Sequence, residues 1–202
     1  MARTQQQRRE ETVARLLDAS IETIIDVGYA KASAAVIARR AKVSDGALFR
    51  HFPTMGDFMA ATAYEVMRRQ LELFTKRVAE IPAQPPLPAV LTILRDVTGN
   101  DTNTVMYELL IAARTDAKLR ATLPDVLAEY ATHIYETAST IPGFEGIPEG
   151  EFATAVALLL NAFDGAAIIR SVLPQPEFED ARIALLAKLF SAEPAPGGRI
   201  GR

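Results

Sequence analysis

The chain has 202 residues, with 22 Lys and Arg against 25 Asp and Glu, a formal net charge of −3, and neither cysteine nor tryptophan. That length can bury a full hydrophobic core without covalent staples, and the lack of thiols excludes disulfides and thiolate metal sites. With 49% apolar and 23% charged residues, the composition is not that of a disordered chain.

The opening run Met1-Ala2-Arg3-Thr4-Gln5-Gln6-Gln7-Arg8-Arg9 is charged but has no apolar segment behind it, so it does not read as a signal peptide. Val13, Leu16, Leu17, Ser20, Ile21, Ile24 and Ile25 recur at helical spacing and predict a first helix ending near Gly28. Short helices are predicted over 33–41 and 45–51, and longer ones over 56–79, 87–98, 102–115, 123–140, 149–173 and 177–192. Ten of the twelve prolines fall between these segments or in the tail, Pro88 is the second residue of the 87–98 segment, and Pro124 is expected in the first turn of its helix, where its missing N–H costs nothing. No stretch alternates with period two, so the expected fold is all-α with about nine helices. The most apolar segment, 152–169, contains Thr154, Asn161 and Asp164. A carboxylate mid-span is costly in lipid, which favours a buried helix of a cytoplasmic protein over a membrane span.

Charge is uneven along the chain. Residues 1–52 hold nine Lys and Arg against six Asp and Glu, whereas the remainder is acidic. A basic head on an acidic body suggests an anionic partner for the head, although an excess of three charges is also within ordinary scatter.

Within 28–58 the pattern becomes specific. Ser33 can cap a helix that turns Val36, Ile37 and Ala41 inward, with the small Ala38 where a neighbouring helix approaches closely. Lys42-Val43-Ser44 then forms a tight turn, and Ser44 can cap the next helix, 45–51. A helix, tight turn and helix packed on a longer first helix present a short helix to a DNA major groove, although many helical corners share this pattern.

Gly28-Tyr29, Ile37-Ala38, Ala41, Val43-Ser44, Gly46, Leu48-Phe49-Arg50-His51-Phe52 and Asp57-Phe58 resemble the DNA-binding domain of TetR-family transcriptional regulators over about 50 contiguous residues. The resemblance implies a helix–turn–helix domain over 1–55, a helical ligand-binding and dimerisation domain over 56–192, and a disordered tail over 193–202. It further implies a homodimer, with one recognition helix per subunit in successive major grooves of a pseudo-palindromic operator. By position, Ser33, Ser44, Ala47, Phe49, Arg50, His51 and Met55 fall on the family's usual contact sites. Arg39 and Arg40 are further phosphate candidates of this chain itself. The family usually has Gly at Lys42, and often Thr, Tyr and Lys at Ala47, Phe49 and Met55, so three phosphate-contacting groups are absent here. Arg3, Arg8 and Arg9 on an N-terminal arm, together with Lys42, can compensate. Asp45 suits the start of a helix and can accept from a cytosine amino group.

Beyond residue 60 no motif recurs. The helix over 149–173 is apolar nearly all round and needs cover on two sides. With the last helix it fits an intermolecular four-helix bundle, as in the TetR family, and Phe152, Leu159, Phe163, Ala167, Phe178, Arg182, Leu186 and Leu189 are its candidate dimer residues. Candidate contacts for a small, largely apolar effector are Met67, Tyr107, Ile111, Arg114, Tyr130, His133, Asn161 and Asp164, each with an equally ordinary reading as core, cap or surface. No metal, cofactor or catalytic residue is expected, because no His-Glu-x-x-His, phosphate-cradling Gly-rich loop or Cys nucleophile occurs. The function expected is that of a ligand-responsive repressor. The alternative is a protein–protein adaptor that keeps the helix–turn–helix fold but has weakened DNA binding.

Overall fold

A computed structural model describes residues 4–44, 46–81, 85–141, 144 and 147–191. The expected tail over 193–202, together with Arg3 and Asp45, lies outside the described residues. The architecture is all-helical, and among the described residues there is no strand. Among the described residues nine α-helices run in chain order: α1 Gln5–Val27, α2 Ala34–Arg40, α3 Ala47–His51, α4 Met55–Ala79, α5 Leu87–Thr98, α6 Asp101–Ala112, α7 Ala117–Ser139, α8 Glu149–Arg170 and α9 Pro176–Ser191. A single 3-10 turn, Tyr29–Lys31, joins α1 to α2.

Two compact units divide the chain, one over 1–72 with 100–132 and the other over 73–99 with 133–202. Packing therefore follows a different line from the functional division expected at residue 55. In the first unit, Leu16 and Ile24 of α1, Ile37 of α2, Leu48 of α3, Phe58 and Met59 of α4, Leu109 of α6 and Leu119 of α7 share one core.

Local chemistry explains where these helices begin and end. Thr4 and Gln7 form a reciprocal capping box at the start of α1. At its end Gly28 takes a positive φ of 82° and donates its N–H to the Ile24 carbonyl. Ser33 caps α2 through its side chain, which accepts from the Val36 N–H. The end of α2 is a paired closure in which the Val43 N–H bonds the Ala38 carbonyl at 3.0 Å and the Lys42 N–H bonds the Arg39 carbonyl at 3.1 Å. This closure requires a left-handed residue at position 42, and Lys42 sits at φ 55°, the one described non-glycine residue with positive φ. Val43 follows it onto the core.

Three expectations change here. Ser44 does not cap α3 with its side chain: the capping position is Gly46, without a side-chain bond, and the Ser44 carbonyl accepts the Ala47 N–H at 2.8 Å. Helix α3 is accordingly two residues shorter at its start than expected. Pro124 lies inside α7 rather than in its first turn, because the helix begins at Ala117. Asp116 starts it by accepting the N–H groups of Lys118 and Leu119, both at 3.0 Å, and this cap offsets the hydrogen bond that Pro124 forfeits. Arg8 and Arg9 belong to the helix α1 itself and not to an extended arm.

In the second unit α5 and parts of α8 and α9 enclose Val90, Leu91, Leu159, Phe163, Ile183 and Ala187. Leu159 and Phe163, expected at a dimer interface, are only 2% and 1% exposed and belong to this core. Phe152 and Leu186 also pack against it. Arg182 pairs with the buried Glu179 at 3.1 Å, and Arg170 with the same carboxylate at 3.2 Å. Helix α8 is long and apolar enough by composition to cross a membrane, but Leu159 and Phe163 commit one of its faces to the protein core.

Lys42→Gly removes the penalty of a side chain in the left-handed region, which is about 1 kcal/mol. Its thermal midpoint should therefore rise by about 2–4 °C. A fall in midpoint would mean that the Lys42 side chain contributes more than its backbone strain costs.

Candidate nucleic-acid interface

Helix α3 has five residues, too short to be stable without packing. Ala47 and Leu48 turn inward, 2% and 0% exposed, and the Phe52 ring beyond its end packs on the Phe58 ring at 4.9 Å. The chain then enters α4 through a reciprocal cap. The Thr54 N–H donates to Asp57 Oδ2 at 3.0 Å, while the Asp57 N–H donates to Thr54 Oγ1 at 3.1 Å. What α3 offers outward is Phe49 and Arg50. The Arg50 guanidinium reaches back to Ser44, donating from Nη2 to Oγ at 3.3 Å.

The expected contact residues separate into groups. Arg8, Ser33, Arg39, Lys42, Ser44, Phe49 and Arg50 are exposed. Ala47 is buried, so it offers no side chain to a ligand, and Met55 is half-buried against the core of the first unit. Arg40 is exposed but committed: its guanidinium ion-pairs with Asp26, and with Glu22 at 3.7 Å, which fastens α2 to α1. His51 is half-buried, with Nδ1 enclosed and without a hydrogen-bond partner. Partial burial, together with the charges of Arg9 and Arg50, holds its imidazole below the usual histidine range. That influence places the Arg9 charge near the end of α3. Arg8 and Arg9 stand early in α1, where the helix dipole disfavours cations, and no acidic residue occupies the first turn. An anion docked nearby would relieve that arrangement.

Sequence reasoning missed the side-chain bracket under this face. The Tyr29 N–H donates to Glu108 of α6, and its hydroxyl donates to Asp116 Oδ2 at 2.9 Å. Gly28 leaves room for Glu108, since a Cβ there would come within 3.3 Å of its Oε2. At the start of α4, a Cβ on Gly56 would lie 3.1 Å from Lys118 Cβ, and Thr122 Oγ1 donates to the Gly56 carbonyl at 3.4 Å. The first turns of α7 therefore touch both the turn after α1 and the first turn of α4. Burial and the Asp116 carboxylate push the Tyr29 phenol up to about 12. The Leu119 N–H, then the Tyr29 hydroxyl, hold Asp116 below the usual carboxylate range. The readable signal was Asp116 itself, an N-cap residue just ahead of Ala117-Lys118-Leu119. A second tie joins α4 to α1, where Arg69 pairs with Asp18 and with Glu65.

The expected effector contacts are dispersed. Met67 is half-buried, and Tyr107 and Tyr130 are buried, all three in the first unit. The Tyr107 hydroxyl accepts from Asn103 at 2.8 Å, and the Tyr130 ring meets that of Tyr64 edge-on at 6.0 Å. Ile111 and Arg114 of the first unit, and His133 and Asn161 of the second, are exposed, while Asp164 of the second unit is half-buried. Among the described residues no group of three or more His, Asp or Glu could hold a metal ion.

Comparison with known proteins defines the class as helix–turn–helix transcriptional regulators. Residues 16–62 match the family described as bacterial regulatory proteins, tetR family. The chain is 68% identical to the HTH-type transcriptional regulator Rv2912c of Mycobacterium tuberculosis over 193 residues, which cover 95% of this chain and 99% of the relative. It belongs to the TetR family. Its fold is similar to that of a transcriptional regulator from Rhodococcus sp. RHA1, with a TM-score of 0.67 at 21% identity, covering 90% of this chain and 99% of that one. A further similar fold is the regulator FadR from Bacillus subtilis in complex with stearoyl-CoA, with a TM-score of 0.60 at 17% identity and the same coverage of both chains. These relationships point to transcription regulation and not to catalysis.

The Asp116 shift has a definite sign. Because its folded value lies below the unfolded one of about 3.9, its contribution to stability is complete above about pH 4 and is lost as pH falls through the folded value. Asp116→Asn keeps a capping side chain but cannot titrate, so its urea midpoint should fall less steeply than that of the parent below about pH 4. Tyr29→Phe should flatten the same limb to a smaller degree. Superimposable acid limbs for the parent and Asp116→Asn would contradict this assignment.

Proposed function

We propose that this protein is a homodimeric, ligand-responsive repressor that binds a pseudo-palindromic DNA operator in the cytoplasm. Residues 1–55 carry the DNA-reading surface, and residues 56–192 bind effector and partner subunit. The observation that carries this reading is the α2–α3 corner. A strained turn, closed by the Val43 and Lys42 N–H bonds to the carbonyls of Ala38 and Arg39, precedes a five-residue helix whose inner side chains are buried and whose Phe49 and Arg50 face out. Two such helices, one from each subunit, fit half-sites about one helical turn apart. Arg8, Arg9, Arg39 and Lys42 supply the exposed cations for phosphate contacts.

Support for the dimer comes from a face of the second unit that its own core leaves open. Leu158, Ile168 and Ile169 of α8, with Phe178, Leu185 and Leu189 of α9, are exposed apolar residues in a periodic stripe. On the same turn of α8, a Cβ added at Gly165 would meet nothing within 4 Å, which leaves space for a partner helix to approach closely. The dimer contacts proposed are therefore this stripe, together with Ala167 and Arg182 beside it. Met67, Tyr107 and Tyr130 are the residues best placed to sense a largely apolar effector. An effector that favours another position of α4 lowers DNA affinity by shifting the population of subunit arrangements. The Bacillus subtilis protein in complex with stearoyl-CoA is an example of this fold holding a molecule that carries a long apolar chain on a polar, anionic head group.

The adaptor alternative draws on two observations: Ala47 is buried, and Arg40 is committed to carboxylates. Selection of random duplexes followed by fluorescence anisotropy distinguishes the two. The repressor reading predicts one enriched palindrome, bound by a dimer, with affinity falling at least 10-fold between about 50 and about 200 mM salt. Failure to enrich any duplex at the lower salt concentration, or a monomer by light scattering, would contradict it.

A further inference from the structure

We infer that Phe49 reads thymine in the operator through the C5-methyl group of the base. This inference rests on the DNA-binding reading above and adds to it the class of base that the helix selects. Helix α3 has few side chains to offer. Ala47 and Leu48 are in the core, and the imidazole of His51 is half-buried with Nδ1 enclosed. Gly46, at the capping position, has no side chain, and its surroundings are open to 4 Å. Phe49 and Arg50 are the exposed side chains of α3.

Of these two, Arg50 is already held at its Nη2 by Ser44, close to the turn. Phe49 is 52% exposed, a large apolar ring on a surface otherwise furnished with Arg39, Lys42, Ser44 and Arg50. A phenyl ring has neither donor nor acceptor, so it cannot bond a phosphate oxygen or the hydrogen-bonding edge of any base. The major groove displays one apolar group, the thymine methyl, and aromatic contact with that methyl is an established mode of base discrimination. The ring is therefore unsuited to the sequence-independent part of binding and suited to one base in four.

The experiment uses the full chain and the duplex obtained by selection. Each thymine is replaced in turn, at symmetric positions of both half-sites, by deoxyuridine, which removes the methyl and leaves every hydrogen-bonding group in place. Losing one buried methyl costs about 4-fold per half-site, so one symmetric pair of replacements should weaken the parent protein by about 10- to 20-fold. Phe49→Ala should bind the unmodified duplex weakly to a similar extent and show no further loss at that pair. Circular dichroism checks that this surface variant keeps its helices. The inference is overturned if no thymine pair is sensitive in the parent while tight binding persists, or if the sensitivity survives in Phe49→Ala. Absence of binding to every duplex would instead overturn the DNA-binding reading, and this inference with it.

Discussion

The five residues of α3 do not form a helix on their own account; they are helical because Leu48 is wholly buried in the core to which α1, α2, α4, α6 and α7 also contribute. Burying a leucine contributes about 1.5–3 kcal/mol, more than an isolated helix of this length gains from its backbone bonds. The outward side chains then have fixed directions at no further cost. Everything proposed about DNA depends on that one anchoring contact. The anchor is shared: Leu109 and Leu119 belong to the same core as Leu16, Ile37 and Phe58. Polar ties reinforce it where Tyr29 meets Glu108 and Asp116, and where Thr122 meets Gly56. A change in the position of α6 or of the first turns of α7 therefore reaches the DNA-reading corner through packed atoms within one unit.

Much of this was legible in the chain. The stripe on α1, the Ser33 cap, the turn at Lys42 and the bounds of α5 follow from period and capping chemistry that act over a few residues. Two features were not. The start of α7 was placed at Leu123 because Pro124 looked like a first-turn proline, whereas the capping strength of Asp116 moved it to Ala117. The inward face of α8 was assigned to the wrong phase. A helix apolar nearly all round carries little directional information, so Leu159 and Phe163 looked available to a partner although they fill the second unit's own core. The open stripe runs instead through Leu158, Ile168 and Ile169.

The candidate DNA face was legible in position and less so in chemistry. The family resemblance put Ala47 and Met55 at the interface, and Arg40 was this chain's own further candidate, yet their roles depend on side chains distant in sequence. Asp26 and Glu22 engage Arg40, and the core covers Ala47 and half of Met55. The resulting surface is poorer in phosphate-binding groups than the pattern alone suggests, and richer in apolar character at Phe49. Arg8 and Arg9 then matter more, and they are carried on helix α1 instead of on an extended N-terminal arm.

The DNA-reading corner is expected to have no stability apart from α4, α6 and α7. This dependence is tested by comparing residues 1–55 alone with the whole chain by far-ultraviolet circular dichroism and amide NMR dispersion. The fragment should be largely unfolded, with narrow amide dispersion and no cooperative melt. A fragment that melts cooperatively, with the well-dispersed spectrum of a packed three-helix domain, would contradict it.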